Sequence, residues 1–283
     1  MTPLVTISMP VGPRTPFELV QRATDAVMAQ TERRWLLVQV GDGTALPSNR
    51  LGDPRIVRYT LPENRGRYFA DAVVFEATDS PYFTVHDSDD AARPGWLSVL
   101  LRTLKGADAA YGAQSIHRIG SRQPIHDAVV RWRGIGDPPR LRHHCHMAQL
   151  FRREWLAEIG GPHPAFRVGF DTLLTALPFI SGFVATTEIE LYDRYKRGDS
   201  LTTAIETGMR SQHRKRAAAD LARLWCEAVE AYRADAATGS CGHASARHLI
   251  RQVLTAYPSV ERYQELKTEV EHHGKRLREM IGE

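Results

Sequence analysis

The sequence has few cysteines and no long apolar run, and each absence excludes a class of protein. Its three cysteines, Cys145, Cys226 and Cys241, form neither a CxxC pair nor an even-numbered framework, which predicts free thiols in a reducing compartment. No apolar stretch approaches the roughly 20 residues of a membrane-spanning helix. The start, "MTPLVTISMPVG", lacks the basic residues and cleavage site of a signal peptide. We therefore expect a cytoplasmic protein without a transmembrane segment, soluble or peripheral at a membrane surface.

An excess of one charge is also lacking, since 37 Lys and Arg residues face 33 Asp and Glu residues. The densest basic run is "RSQHRKR", residues 210–216, and it is not interleaved with aromatic residues as in single-strand nucleic-acid binders. A solvated helix face is the ordinary interpretation of such a run, and an anionic ligand or a membrane surface is the alternative. We expect no nucleic-acid partner.

The first hundred residues alternate strand and helix patterns. β-Branched and apolar stretches predict strands at 4–11, 34–40, 55–61 and 82–86, and helical spacing predicts helices at 16–30 and 67–77. A capping box at Thr15–Glu18, with Pro16 in the first helical position, is expected to start the first helix. Single helices between strands imply parallel pairing and an α/β sheet covered on both faces.

The remaining sequence predicts more sheet and then a helical region. We expect a helix at 94–104, a strand at "DAAYGAQS", a strand at 143–151 and a helix at 152–159. A helical pattern dominates from about residue 204, most clearly in "AAADLARLWCEAVEAYRA". The sequence therefore predicts a domain at 1–205 and a C-terminal helical region at 206–283.

Ligands of α/β sheets bind outside the carboxyl ends of the strands, so the loops there indicate the site. These loops read "PVGPR", "GDGT", "PENRGR" and "DSDDAARP". All four are rich in groups that suit a phosphorylated or hydroxylated ligand.

Three acids, Asp87, Asp89 and Asp90, stand where the fourth strand ends. Capping of a helix begun at Pro94 is the structural alternative for Asp90. A calcium loop fails because alanines occupy the positions of its later ligands. A hard divalent ion, Mg²⁺ or Mn²⁺, held by one or two carboxylates and by substrate phosphates fits better. Because such an ion neutralises a leaving diphosphate, the acids suggest a metal–nucleotide site.

Seven motifs occur in an order and spacing typical of one enzyme family. They are "MPV" at 9–11, "GDGT" at 41–44, "ENRG" at 63–66, "DSDDAARP" at 87–94, "FRREWLAEIGG" at 151–161, an acid at Asp171, and "YDRYKRGDSLT" at 192–202. Together they resemble inverting glycosyltransferase family 2. The resemblance covers about residues 4–205 and implies the GT-A fold, a Rossmann-like, mostly parallel α/β sheet for nucleotide-diphosphate sugars, here with a C-terminal helical appendage.

The resemblance also implies how the nucleotide sugar is held. Pro10, Val11 and Asp42 are expected to line the base, with Asp42 accepting a hydrogen bond from its edge. Asp87 is expected to contact the ribose or metal-bound water, and Asp89 to ligate the ion, so that the metal residues are Asp87 and Asp89.

Further nucleotide-sugar contacts are expected from Asn64, Arg67, Ser88 and Arg197. Arg194, Lys196, Arg197 and Ser200 could stabilise the leaving diphosphate when their loop closes. The structural alternatives are a surface side chain for Arg67, a turn residue for Asn64, and solvated surface charge for the basic loop.

Asp171 is the expected general base. An inverting transfer needs a carboxylate that takes the acceptor proton while the oxygen attacks the anomeric carbon opposite the leaving diphosphate. "RVGFDTLLTALPF" places Asp171 at the head of a short helix, where an N-cap is a compatible structural role. Many family members carry two acids here, whereas this chain has Phe170 before Asp171.

The "HHCH" run at 143–146 leaves three interpretations open. Only alternate strand residues share a face, so His144 and His146 could converge. A structural zinc site lacks its second ligand pair. A histidine on the acceptor side of the cleft, or one that assists the metal, and ordinary packing are the other two.

The resemblance thus implies a metal-dependent, inverting hexosyltransferase. It implies a donor nucleotide sugar, by analogy a UDP-sugar, and an acceptor hydroxyl or amine on a polysaccharide, peptide or natural product. A non-catalytic nucleotide- or glycan-binding module is the alternative that Phe170 keeps open. A sugar nucleotidyltransferase is disfavoured because "MPVGPRTPF" lacks a glycine-rich, lysine-containing loop. The C-terminal helices could pair subunits into a homodimer, cover the acceptor or dock to a membrane.

Overall fold

The fold was obtained as a computed structural model. It describes residues 2–47, 52–119, 124–130, 141, 147–197, 208, 211–237 and 243–282. Within these residues, nine strands form one mixed sheet flanked by helices.

The N-terminal half follows the alternation that the sequence predicts. Its elements are β1 (Val5–Val11), α1 (Phe17–Met28), β2 (Trp35–Asp42), β3 (Ile56–Leu61), α2 (Arg67–Ala77) and β4 (Tyr82–Val85). The strands lie in the order β3-β2-β1-β4 and all pair in parallel, which confirms the prediction. All eight residues of β2 are buried, and because successive strand residues point to opposite faces, the sheet is covered on both sides.

The next segment mixes strand directions. It contains β5 (Ala91–Ala92), α3 (Trp96–Leu104), β6 (Ala109–Ile119), β7 (Pro124–Val130), β8 (Gln149–Arg152), α4 (Arg153–Glu158), α5 (Phe170–Ala176), α6 (Pro178–Ser181) and β9 (Val184–Lys196). The sheet continues from β4 as β8-β6-β9-β5, with β7 paired to β6. β8 runs antiparallel to β4 and β6, while β6 and β9 are parallel. The carboxyl ends of β4 and β9 therefore reach the edge where β1 and β2 also end.

Three helices complete the described chain: α7 (Gln212–Ala237), α8 (His243–Thr255) and α9 (Val260–Gly282). α9 packs on α2 and β3. Buried residues of all three helices, including Leu224, Ile250 and Val270, belong to the same hydrophobic cluster as the sheet. The division at residue 205 stays a prediction. No helix in the described ranges is long and apolar enough to cross a membrane.

The capping box predicted for the first helix is wrong, and the capping alternatives for Asp90 and Asp171 do not apply either. Pro16 occupies the N-cap position of α1 and no side chain caps that helix among the described residues, because Thr15 lies one position too early to reach the first free N–H groups. Gly95 precedes α3, and Asp90 binds the Tyr195 backbone instead. Gly169 precedes α5, so Asp171 is not its N-cap.

Several predicted features lie outside the described residues. They are the "HHCH" run with Cys145, Cys241 and Ser200. The remaining cysteine, Cys226, is exposed and free.

Candidate functional site

A cavity of about 490 Å³ opens at the carboxyl ends of β1, β2, β4 and β9. Nine of the ten predicted site residues line it: Pro10, Asp42, Asn64, Arg67, Asp87, Ser88, Asp89, Asp171 and Arg197. Val11 is the exception, and it is fully buried. The strand-end rule thus brings together residues that are up to 187 positions apart in the chain, from Pro10 to Arg197.

A buried histidine holds the turn that carries the three acids. The Nδ1 of His86 donates to the Asp87 carbonyl over 2.8 Å, and its Nε2 accepts the Ala92 N–H over 3.2 Å. Its ring packs against Trp96 and Tyr192. Burial lowers the pKa of His86 to about 4, so the imidazole is neutral and can donate with one nitrogen while it accepts with the other. The sequence analysis missed this residue, since a histidine at a strand end carries no distinctive pattern.

The acids form a tight cluster with an unused oxygen. One carboxylate oxygen from each of Asp87, Asp89 and Asp90 lies within 4.8 Å of the other two. Asp90 is buried and its Oδ1 accepts the Tyr195 N–H over 2.8 Å, while its Oδ2 has no hydrogen-bond partner among the described residues. Such a buried oxygen is costly unless it is compensated.

Electrostatics in this cluster favour a cation. Burial, followed by repulsion from Asp87, raises the pKa of Asp89. Burial, followed by repulsion from Asp89 and Asp87, raises the pKa of Asp90 well above its usual value. A divalent ion relieves both the repulsion and the unpaired oxygen, and oxygen ligands suit Mg²⁺ or Mn²⁺. The residues present therefore fit such an ion.

Basic side chains balance the acids from two directions. The Nη1 of Arg67 lies 2.7 Å from the Asp87 Oδ1. The Nε and Nη2 of Arg197 lie 3.1 and 3.0 Å from the Asp89 Oδ2. Arg194 and Lys196 also line the cavity. The end of β9 thus places Arg194 and Arg197 close to the acids and Lys196 in the same cavity, an arrangement suited to a phosphorylated ligand.

Asp42 fastens a loop of the cavity wall to β2. Its Oδ1 and Oδ2 accept the backbone N–H groups of Arg65 and Gly66 over 2.6 and 2.9 Å. Burial nevertheless raises the pKa of Asp42. These two bonds hold the 63–66 loop against the strand end. The contact of Asp42 with a nucleotide base stays a prediction.

Asp171 is oriented by a buried tyrosine. Its backbone N–H donates to the Tyr68 hydroxyl over 3.3 Å, and that hydroxyl hydrogen-bonds the Asp171 side chain. Burial raises the pKa of Tyr68 well above its usual value, so the phenol keeps its proton. The Asp171 Oδ1 also accepts the Thr172 N–H over 3.0 Å. The half-buried carboxyl is thereby held in the wall of the cavity.

Further lining residues were not among the ten predicted site residues. They are Gly12, Pro13, Arg14, Thr15, Gly66, Tyr68, Asp90, Arg167, Val168, Gly169, Arg194, Tyr195, Lys196, His213 and Arg214. Of these, Asp90 was expected in the acid cluster, Arg194 and Lys196 were expected at the leaving diphosphate, and the basic run with His213 and Arg214 was expected on a solvated face or at an anionic ligand. His213 and Arg214 are the most informative, since they come from the first turn of α7. Both interpretations of the basic run at 210–216 therefore apply to part of it. Lys215 and Arg216 are exposed, as expected for a solvated helix face, while Arg214 lines the cavity.

The mixed sheet with an acid-lined cavity at the carboxyl ends of its strands has the architecture of the GT-A fold, and comparison with known families agrees. The model described as Glycosyl transferase family 2 matches residues 17–160, just over half of the chain. The chain belongs to glycosyl transferase family 2.

Solved structures confirm the predicted GT-A fold. The structure of Staphylococcus aureus TarS residues 1–349 is 11% identical over 91% of each chain, with a TM-score of 0.53. The same fragment in complex with UDP-GlcNAc is 13% identical, covers 70% of this chain and 59% of that one, and has a TM-score of 0.54. The chain spans 37% of a longer TarS structure. Identity this low shows the fold alone. No curated protein matches the chain.

Proposed function

We propose that the chain is a metal-dependent, inverting glycosyltransferase. It moves a sugar from a nucleoside diphosphate sugar to a hydroxyl or amine of a polysaccharide, peptide or natural product. The observation that carries the proposal is the meeting of Asp87, Asp89 and the unpaired Asp90 oxygen with the cations of β9 in one cavity. A module that only bound nucleotide would not need a separate, oriented carboxyl, and Asp171 supplies one.

Asp87 and Asp89 are the residues that hold the divalent cation, Mn²⁺ or Mg²⁺, in this proposal. When bound, the ion neutralises charge on the leaving diphosphate. Asp90 contributes its free oxygen to the same position. His86 keeps the three carboxylates together by pinning the turn at both ends.

The leaving diphosphate is stabilised by the basic side chains around the acids. Arg194, Lys196 and Arg197 approach from β9. Since these groups are held in place by strand pairing and by the ion pair of Arg197 with Asp89, they are preorganised for developing negative charge.

Asp171 takes the proton from the acceptor in this mechanism. The acceptor oxygen or nitrogen then displaces the diphosphate in one step, which inverts the anomeric centre. Tyr68 donates to the Asp171 side chain and fixes its direction. Phe170 stands where many family members have a second acid. It is fully buried and packs against Tyr68, so it helps to hold the tyrosine that orients Asp171.

A UDP-sugar is the donor that we propose. The solved TarS fragments contain UDP-GlcNAc and UDP, and this chain shares their fold. Asn64, Arg67 and Ser88 line the cavity beside the acids and are proposed as further nucleotide-sugar contacts, with Pro10 against the base.

Turnover of donor sugars with and without Asp171 tests this mechanism. We expect Asp171→Asn to lower the release of nucleoside diphosphate by a factor of about 10²–10⁴, the usual contribution of a general base, while nucleotide affinity is kept. Asp25→Asn, at an exposed position on α1, is the matched control. An unchanged rate in Asp171→Asn would remove this residue as the base, and an anomeric coupling in the NMR spectrum that shows retention would overturn the inverting mechanism.

A further inference from the structure

Asp71 is a buried acid that the proposed mechanism does not use. It lies on α2, is 2% exposed and does not line the cavity. Its Oδ1 accepts the Ser8 hydroxyl over 2.6 Å. Burial raises the pKa of Asp71 to about 7, which reflects the cost of keeping a charged carboxylate in the interior. A core position of this kind is normally apolar, so the acid has a role that an apolar residue would not fill.

The neighbour of Asp71 one helical turn earlier is Arg67, which connects it to the acid cluster. The Arg67 Nη1 lies 2.7 Å from the Asp87 Oδ1, inside the cavity. The Arg67 Nε lies 3.9 Å from the Asp71 Oδ2, behind the cavity wall, and has no hydrogen-bond partner among the described residues. The Arg67 guanidinium therefore lies between two carboxylates. It forms an ion pair with Asp87, and its Nε–H, which has no hydrogen-bond partner among the described residues, is near Asp71.

This arrangement bears on cation binding at Asp87. A guanidinium on the Asp87 Oδ1 competes with a divalent ion for the same carboxylate, because both need its negative charge. An approach of about 1 Å would bring the Arg67 Nε within the usual 2.7–2.9 Å of a charge-assisted hydrogen bond to Asp71. Asp71 is thus a second acceptor within reach of the same cation.

We propose that Asp71 is a positioning residue that receives the Arg67 guanidinium when a divalent cation binds at Asp87. The proposal rests on the proposed function, since it assumes that the cluster of Asp87, Asp89 and Asp90 holds such an ion. Asp71 acts through Arg67 and touches neither the ion nor the donor. Its charge, rather than its shape, is what the site uses.

An isosteric change separates this role from a structural one. In Asp71→Asn the amide oxygen still accepts the Ser8 hydroxyl, and the volume of the side chain is kept. Only the negative charge that attracts Arg67 is lost. A purely structural Asp71 therefore predicts the same cation affinity in Asp71→Asn as in the wild type.

The test measures Mn²⁺ binding alone, by isothermal titration calorimetry on the full chain at about pH 8, above the pKa of about 7 of Asp71, so that its carboxylate is charged. We expect Asp71→Asn to raise the Mn²⁺ dissociation constant about tenfold, the scale of a unit charge acting over roughly 10 Å at an effective dielectric constant of about 20. Arg67→Met should lower the dissociation constant, because the competing cation is gone. Asp71→Asn added to Arg67→Met should then change it by less than about twofold, since coupled residues lose their effect together.

Controls make the outcomes separable. Asp79→Asn, an exposed acid just beyond the end of α2, should bind Mn²⁺ as the wild type does. Equal affinity in the wild type and Asp71→Asn, or an equal loss in both Arg67 backgrounds, would overturn the role of Asp71. Arg67→Met provides an independent test if Asp71→Asn does not fold, because a weaker or unchanged affinity contradicts competition. Absence of Mn²⁺ binding to the wild type would instead overturn the proposed metal dependence, and this inference with it.

Discussion

Burial sets the protonation state of single residues in this protein. His86 and His163 both have pKa values lowered to about 4 by burial, so each stays neutral and uses one ring nitrogen to donate and the other to accept. Asp90 shows the opposite shift for the same reason, because burial disfavours its charged form.

The positions of the acids can be predicted from the sequence, since three carboxylates at a strand end form a visible pattern. Their burial and hydrogen bonds cannot be predicted in this way, because they depend on residues such as Tyr195 that are over a hundred positions away.

His163 gives a stability test at this scale. Its pKa is 6.5 when unfolded and about 4 when folded, so the unfolded state binds more protons between these values. The free energy of unfolding therefore falls as the pH falls from about 6.5 to about 4, by up to about 1.4 kcal/mol per pH unit for one group.

His163→Gln should flatten this dependence, because Gln can still donate to the Leu254 carbonyl that His163 contacts over 2.9 Å but takes up no proton. Denaturant unfolding of both proteins at several pH values between 7 and 4 measures the effect. Parallel curves for the two proteins would show that His163 does not titrate as described.

At the scale of elements, local patterns located helices and strands well and placed their ends less well. α2 occupies the predicted residues 67–77, and β3 begins one residue inside its predicted range, because apolar periodicity is a local property. The capping box failed since a Thr-Pro-Phe-Glu sequence does not reveal which residue takes the N-cap conformation. The antiparallel direction of β8 could not be predicted from the sequence either, because it is set by contacts with β4 and β6.

The turn after β2 gives a prediction for a loop. Gly43 has φ +67, and a Cβ there would lie 2.4 Å from the Asn64 backbone nitrogen. Gly43→Ala should therefore both strain the turn, by about 1–2 kcal/mol, and push away the 63–66 loop that Asp42 holds. Nucleotide affinity should fall together with stability.

Gly106→Ala is the matched control, because Gly106 also has a positive φ, +92, but a Cβ there meets no atom within 4 Å. It should cost stability without loss of nucleotide affinity. Thermal unfolding with and without UDP and Mn²⁺ compares the two variants. Equal loss of UDP affinity in both would show that the 63–66 loop does not form part of the nucleotide site.

For the molecule as a whole, the C-terminal helices pack against the segment that carries Asp171. Phe166, in the segment before Asp171, stacks between Phe170 and Tyr257. The Tyr257 hydroxyl donates to Asp220 of α7 over 3.0 Å. A Cβ on Gly169 would lie 2.7 Å from Leu221. Sequence reasoning separated this region because its pattern changes near residue 204, whereas a shared core depends on packing across the chain.

This packing predicts that the sheet and the C-terminal helices unfold together. Hydrogen exchange at increasing denaturant should show α7, α9 and β2 losing protection at one midpoint, because α9 packs on α2 and β3. Two separated midpoints, with the helices opening first, would instead support the predicted boundary at residue 205 as a true domain boundary.

The central claim is that the three acids and the basic strand end form a metal–nucleotide site. Thermal shifts with UDP, GDP, dTDP and CDP, each with Mn²⁺ or EDTA, test it on the wild type, Asp89→Asn and the exposed-site control Asp25→Asn. A ligand at a hundredfold excess over its dissociation constant stabilises the folded state by about 2.7 kcal/mol, which is readily measured. We predict a shift with UDP that requires Mn²⁺, disappears in Asp89→Asn and persists in Asp25→Asn. No shift with any nucleotide, or an undiminished shift in Asp89→Asn, would contradict the account.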